Sequence, residues 1–183
     1  MDFATLDKIQ QQSHALFTKA QVEQAISRMA EHITAELSQH NPVVLCVMTG
    51  GLVVCGQLIT QLHFPLEMDY IHATRYQNST TGHDLTWRAE PKTSLQDRTV
   101  LLVDDILDGG ITLSATRDFC LKAGAKSVHT AVLLNKPSGR LPEGLQNADF
   151  VGLTVGPHYV YGYGLDYQGY LRNADGIYAV TKT

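Results

Sequence analysis

The sequence predicts an α/β protein, a parallel sheet flanked by helices, and three observations predict it. Short apolar runs rich in β-branched residues, Val43-Val44-Leu45-Cys46-Val47, Val100-Leu101-Leu102-Val103 and Val128 to Leu134, have the unbroken hydrophobicity of strands buried on both faces. The first two run into paired glycines, Gly50-Gly51 and Gly109-Gly110, and then into segments of helical period. The third closes a strand-helix-strand unit, for which a right-handed crossover is the rule.

The elements follow in chain order. Thr18 caps the first expected helix, with Gln21 completing a capping box and Val22, Ile26, Met29, Ile33 and Leu37 forming one apolar stripe. Asn41-Pro42 ends it, and the strand Val43 to Val47 follows. The next helix carries Leu52, Val53, Leu58 and Leu62. Leu66 to Ala73 and Leu85 to Arg88 are two further strands, joined by a polar connection from Tyr76 to Asp84, and Trp87 is read as packing. The strand at Val100 is expected to end at Asp104-Asp105, ahead of a helix on which Ala115, Phe119, Cys120 and Ala123 face the core until Gly124 stops it. Phe150 to Val155 is the last expected strand, before a run of alternating glycines and tyrosines from Gly156 to Tyr167.

Composition narrows the classes. A chain of 183 residues is expected to form one domain spanning 1–183, long enough to bury roughly 70% of its unfolded surface. With 44% hydrophobic and 17% charged residues it reads as an ordinary globular protein, and no run approaches the ~20 apolar residues of a membrane span. Met1 to Lys8 lacks the basic start and apolar centre of a signal peptide, so a cytoplasmic location is expected. Cys46, Cys55 and Cys120 sit in apolar segments without ligand spacing and read as reduced core thiols. A net charge of −4 without a basic run argues against nucleic acid as a partner. His14, His63, His129 and His158 show no ligand spacing.

The chemistry concentrates in Asp104-Asp105-Ile106-Leu107-Asp108-Gly109-Gly110-Ile111-Thr112. The glycines let the main chain turn and bring helix N-terminal N–H groups up to a phosphate, and Thr112 adds a hydroxyl. Two carboxylates beside such a cradle would repel the phosphate itself, but they can accept from sugar hydroxyls or hold a hydrated Mg²⁺. A sugar phosphorylated at both ends suits that combination.

This stretch resembles the phosphoribosyl pyrophosphate signature of the phosphoribosyltransferases, in particular the hypoxanthine-guanine branch. Leu45-Cys46-Val47-Met48-Thr49-Gly50-Gly51, Leu134-Asn135-Lys136-Pro137 and Gly162-Tyr163-Gly164-Leu165-Asp166-Tyr167 occur in the order that family uses, from about Val43 to Thr183. The resemblance implies a type I phosphoribosyltransferase, a Rossmann-like sheet with a small hood from the N-terminal segment and the C-terminal part, and a flexible lid over about 74–90. It implies purine salvage: transfer of 5-phosphoribosyl from phosphoribosyl pyrophosphate to N9 of hypoxanthine or guanine, giving IMP or GMP and pyrophosphate. A homodimer or homotetramer with Mg²⁺ as cofactor is expected.

Residue roles are carried over from the same resemblance. Asp108 is the general acid/base for the purine N7 proton. Asp104, Asp105, Gly109, Gly110, Ile111 and Thr112 bind the phosphoribosyl group, while Thr49, Gly50, Gly51, Arg75 and Arg172 bind pyrophosphate. Lys136, Tyr159, Val160 and Asp166 receive the base, and Asp104, Asp105 and Asp166 serve the metal. The family often has lysine where Thr49 stands, and Arg75 is the candidate for supplying the missing charge. The alternatives are a xanthine-preferring enzyme, a non-catalytic nucleotide-sensing regulator of the same fold, and, from the paired aspartates alone, a phosphoacceptor receiver domain.

Overall fold

The computed structural model describes residues 1–75 and 85–180, and the side chains of Arg75 and Leu85 fall outside that description. The connection Tyr76 to Asp84, most of the expected lid, therefore lies outside the described residues, as does any contact of Arg75. The elements are α1 (Phe3–Gln11), β1 (Ser13–Phe17), α2 (Lys19–Leu37), β2 (Val43–Val47), α3 (Gly51–Ile59), β3 (Glu67–Arg75), β4 (Leu85–Ala89), β5 (Thr99–Leu107), α4 (Ile111–Lys122), β6 (Ser127–Asn135), β7 (Phe150–Thr154), β8 (Tyr159–Tyr161) and β9 (Ile177–Val180).

Six strands form one sheet in the order β4-β3-β2-β5-β6-β7, parallel except for the pairing of β3 with β4. The strands alternate between two cores, as a sheet covered on both faces requires. Val44, Cys46, Leu101 and Val103 face α2 and α3, whose Val22, Ile26, Ile33, Val54 and Leu58 pack onto them. Val43, Leu45, Val100 and Leu102 face Leu113 and Cys120 of α4. The Thr18 capping box is present, and the stripe of α2 is buried as its period predicts. Trp87 packs on Phe119 with ring centroids 4.8 Å apart. All three cysteines are free and buried, and burial pushes the Cys120 thiol up to about 12.

Three local expectations are corrected. β5 does not stop at the aspartates; it continues to Leu107, because β6 runs on beside it and pairs Asp104 with Val132, Ile106 with Leu134 and Leu107 with Asn135. On α4 Cys120 is buried and Phe119 packs on the core as expected, but Ala123 is exposed and Leu113 and Thr116 complete the face; Thr116 is tolerated inside because its hydroxyl donates to the Thr112 carbonyl at 2.7 Å. α3 ends at Ile59, so Leu62, expected in the helix, lies beyond it, although it is still buried; Val54, Cys55 and Leu58 carry the packing of the helix.

A second, three-stranded antiparallel sheet, β1-β9-β8, joins the two ends of the chain. Neither α1 nor β1 was anticipated. Only Ile9 of α1 is buried and Phe3 is 87% exposed, so no apolar stripe marks that helix. Among the described residues no helix is long and apolar enough to cross a membrane.

Leu101 is fully buried at the middle of β5. Leu101→Ala is expected to lower stability by about 2–5 kcal/mol, read as a shift of the urea unfolding midpoint with little change in slope.

Candidate active site

The sheet order places a topological switch between β2 and β5: from β2 the chain moves through α3 to β3 on one side, and from β5 through α4 to β6 on the other. Ligand crevices form at the carboxyl ends of strands at such a point. Here the backbones are so close that side chains are excluded. A Cβ on Gly51 would meet the Val103 carbonyl at 2.5 Å, and one on Gly50 would lie 2.0 Å from the Asp105 carboxylate. The Met48–Thr49 peptide is cis, Thr49 is exposed, and no side chain caps the start of α3.

Asp104 is 8% exposed and Asp105 stands next to it, with the Asp105 N–H donating to Asp104 Oδ1 at 2.9 Å. Loss of hydration, added to the neighbouring negative charge of Asp105, pushes the Asp104 carboxyl well above the usual carboxylate range. Burial also raises Asp105, opposed by its hydrogen bond with Asp104 and by the charge of Arg172.

Two hollows adjoin these carboxylates. One, of about 160 Å³, is lined by Asp104, Asp105, Asp108, Gly109, Gly110 and Thr112. In it Gly110 takes φ +82°, a conformation that favours glycine, and α4 starts directly behind with no side chain on its free N–H groups. The other, of about 170 Å³, is lined by Asp105, Asp108, Lys136, Tyr159, Val160 and Asp166. Asp105, Ile106 and Asp108 belong to both, so the hollows meet along the end of β5.

At that junction the Lys136 ammonium lies 3.1 Å from Asp108 Oδ2. The turn Pro137–Gly139 passes so near that a Cβ on Gly139 would lie 1.5 Å from Asp108 Oδ1. Arg140 follows, its guanidinium donating to the Asp108 carbonyl at 2.7 Å and to Asn135 Oδ1 at 2.6 Å; loss of hydration lowers its pKa.

The far wall comes from the C-terminal segment. Arg172 is paired with Asp166 at 2.7 Å and donates to the Gly164 carbonyl, while Asp166 Oδ2 accepts from the Gly169 N–H at 2.7 Å. Gly164, at φ +103°, abuts the Gly50 carbonyl, 2.1 Å from where its Cβ would be, so this wall closes onto the β2–α3 loop. Tyr159 is 48% exposed beside Tyr167, with ring centroids 5.3 Å apart, and burial together with the Asp166 charge raises its phenol. Val160 is buried.

The structure thus brings together Gly50, Gly51, Asp104, Asp105, Asp108, Gly109, Gly110, Ile111, Thr112, Lys136, Tyr159, Val160, Asp166 and Arg172 at one sheet edge. It leaves the Thr49 side chain exposed. Among the described residues no three His, Cys, Asp or Glu side chains converge on one point, so Asp104, Asp105 and Asp166 do not form a ready-made three-carboxylate cage. Asp166 is already engaged by Arg172. A Mg²⁺ held by one or two carboxylates and otherwise by substrate oxygens and water does fit a hard-oxygen pair whose charge is poorly compensated. Arg140 and Gly139 escaped the sequence reading, and Asn135, part of a motif there, has no role in it, although the turn signal Pro137-Ser138-Gly139 next to Lys136 returns the chain towards the strand ends.

A search for related proteins matches residues 12–167 to a phosphoribosyl transferase domain. The chain belongs to the phosphoribosyl transferase family. A hypoxanthine-guanine phosphoribosyltransferase of Bacillus subtilis is 33% identical over 159 residues, 86% of this chain and 87% of that one. A hypoxanthine-guanine-xanthine phosphoribosyltransferase of Tritrichomonas foetus is 30% identical over 158 residues, 86% of each chain. The structure of a hypoxanthine phosphoribosyl transferase from Trypanosoma cruzi superposes with a TM-score of 0.84 at 26% identity, covering 92% of this chain and 91% of that one. In this phosphoribosyl transferase the paired aspartates, the glycine loop and the helix behind it are all inside the matched span.

The buried aspartates make a prediction about stability. A carboxyl raised in the folded state loses stability for the fold as pH climbs above its unfolded value of ~3.9, because the unfolded chain then gives up the proton more readily. Asp104→Asn removes that term. Without divalent cations, the variant is expected to be more stable than the parent by on the order of 1 kcal/mol at neutral pH, the gap closing as pH falls into the carboxylate range. Thermal unfolding from pH 3.5 to 8 checks it, these limits lying about on either side of the ordinary carboxylate range.

Proposed function

We propose that the chain transfers the 5-phosphoribosyl group from phosphoribosyl pyrophosphate to N9 of a 6-oxopurine, hypoxanthine or guanine, releasing pyrophosphate. One observation carries the reading: an anion-cradling hollow and a flat-walled hollow with a cation meet at Asp105 and Asp108, so a sugar phosphate in one and a base in the other would be neighbours. The names of the relatives from Bacillus subtilis and Tritrichomonas foetus support it.

In this mechanism the N–H groups from Gly109 to Thr112 hold the 5′-phosphate, and Asp104 and Asp105 accept from the ribose hydroxyls. As the bond to pyrophosphate lengthens, the leaving group gathers negative charge, which Arg172 and the amides of Gly50 and Gly51 stabilise. Mg²⁺, with Asp104 and Asp105 as its first candidates for protein ligands and Asp166 as the third, would supply further positive charge to the same oxygens. Tyr159 covers one face of the purine and Val160 offers main-chain groups to its edge. Lys136 leaves Asp108 and donates to the 6-oxo oxygen, which frees the Asp108 carboxylate to take the N7 proton. A 6-amino group would set donor against donor at Lys136, so adenine is excluded by up to about 10⁴-fold.

Purified protein supplied with Mg²⁺, phosphoribosyl pyrophosphate and one base at a time tests this. Hypoxanthine and guanine are expected to turn over and adenine to be inert, with Asp108→Asn slowing the reaction by about 10²–10⁴-fold while the fold is kept. Turnover chiefly of xanthine would overturn the base assignment. No nucleotide from any base would overturn the reaction.

A further inference from the structure

The segment after Lys136 does more than connect β6 to β7. Three consecutive carbonyls of the glycine loop are all taken up by it: Asp108 O by the Arg140 guanidinium at 2.7 Å, Gly109 O by the Leu141 N–H at 3.2 Å, and Gly110 O by the Leu145 N–H at 3.0 Å, the last shared with Ser114 of α4. Beside the Arg140 contact, the two stretches approach each other backbone to backbone. A Cβ on Gly144 would lie 2.0 Å from the Gly109 carbonyl, and one on Gly110 would meet the Leu145 main chain at 2.6 Å.

In a planar trans peptide the C=O and N–H point in opposite directions. Turning the carbonyls of Asp108, Gly109 and Gly110 towards residues 140–145 therefore turns the N–H groups of Gly109, Gly110 and Ile111 the other way. That side is the hollow lined by Asp104, Asp105 and Thr112. Leu141 and Leu145 act through the main chain, so Arg140 is the one side chain in the set. It stands where the ladder has run out: β5 and β6 last pair at Leu107 and Asn135, the Lys136 N–H closes on the Leu107 carbonyl at 3.0 Å, and the next carbonyl, that of Asp108, has only the guanidinium among the described residues. The second arm of the fork, on Asn135 Oδ1 at 2.6 Å, fixes the guanidinium in place. Lysine could reach one acceptor but not span both.

We propose that Arg140 is a positioning residue for phosphoribosyl binding: by tying the Asp108 carbonyl to Asn135 it aims the loop's N–H groups at the 5′-phosphate. This rests on the reading of the reaction given above, and it adds a residue that touches neither substrate. The consequence is selective. The phosphate side of the reaction depends on Arg140, while Lys136, Tyr159 and Val160, which receive the base, make no hydrogen bond to it among the described residues.

Arg140→Gln, Arg140→Lys and Asn135→Ala test this, each compared with the parent by circular dichroism and thermal unfolding. Ribose 5-phosphate binding is measured by calorimetry, and KM for each substrate and kcat in the assay. For Arg140→Gln, ribose 5-phosphate affinity is expected to fall about tenfold, KM for phosphoribosyl pyrophosphate to rise and kcat to fall comparably, with KM for the base changed less than about twofold. Arg140→Lys is expected to restore thermal stability without restoring phosphate affinity, and Asn135→Ala, which leaves the guanidinium but frees its second arm, to repeat the split more weakly. Unchanged phosphate affinity in a folded Arg140→Gln, or a matching loss in both KM values, would overturn the proposal; if that variant does not fold, Asn135→Ala decides in the same way. Parent protein that binds ribose 5-phosphate but turns over no base would overturn the reaction and leave Arg140 to be judged on binding. Parent protein that does not bind it would overturn both.

Discussion

Placing two carboxylates side by side in a protein interior is unfavourable twice over, once for lost hydration and once for mutual repulsion, and the architecture around the end of β5 follows from tolerating it. Asp105 offers its own N–H to Asp104, and the charge of Arg172 opposes the rise that burial imposes on the Asp105 carboxyl. The pair also dictates what its neighbours are allowed to be. Residue 50 is glycine because the Asp105 carboxylate fills the place of a side chain, and residue 164 is glycine because the Gly50 carbonyl then occupies the space above it. A steric requirement thus runs from the middle of the sheet to the C-terminal wall through backbone contacts.

The Lys136–Asp108 ion pair has a different character. The two side chains are 18% and 42% exposed, and a pair so open to water contributes about 0–1 kcal/mol. Exchanging it for contacts to a base therefore costs little. The deep carboxylates are fixed by burial, whereas Lys136 and Asp108 are held loosely at the rim and are free to exchange partners.

Much of this was legible before the structure. Strands buried on both faces announce themselves by unbroken apolar runs, and the Thr18 capping box fixed the start of α2. The glycine loops could be placed because their neighbours on each side were unambiguous. What escaped has physical causes. The strand β5 continues past Asp104 because β6 offers it a partner, a fact about pairing that no local pattern contains. The helix α1 buries only Ile9, and β1 becomes a strand against β9, 160 residues or so away, the kind of long-range closure that local propensity does not report. Arg140 reads as one surface charge among many until the turn at Pro137–Gly139 brings it over the strand ends.

That long-range pairing bears on how the protein is made. The large sheet is complete once β7 at Phe150–Thr154 has been synthesised, and domains begin to assemble from the N-terminal side during translation. The wall holding Tyr159 and Val160 is another matter, since among the described residues β8 pairs only with β9, and β1, made first of all the strands, waits for the same partner. A nascent chain can therefore carry an ordered sheet with its acidic pair and glycine loop while half of the second hollow is still unformed. Translation itself orders the two halves of the crevice in time, and the chain gains its full set of walls only as Ile177–Val180 clears the ribosome.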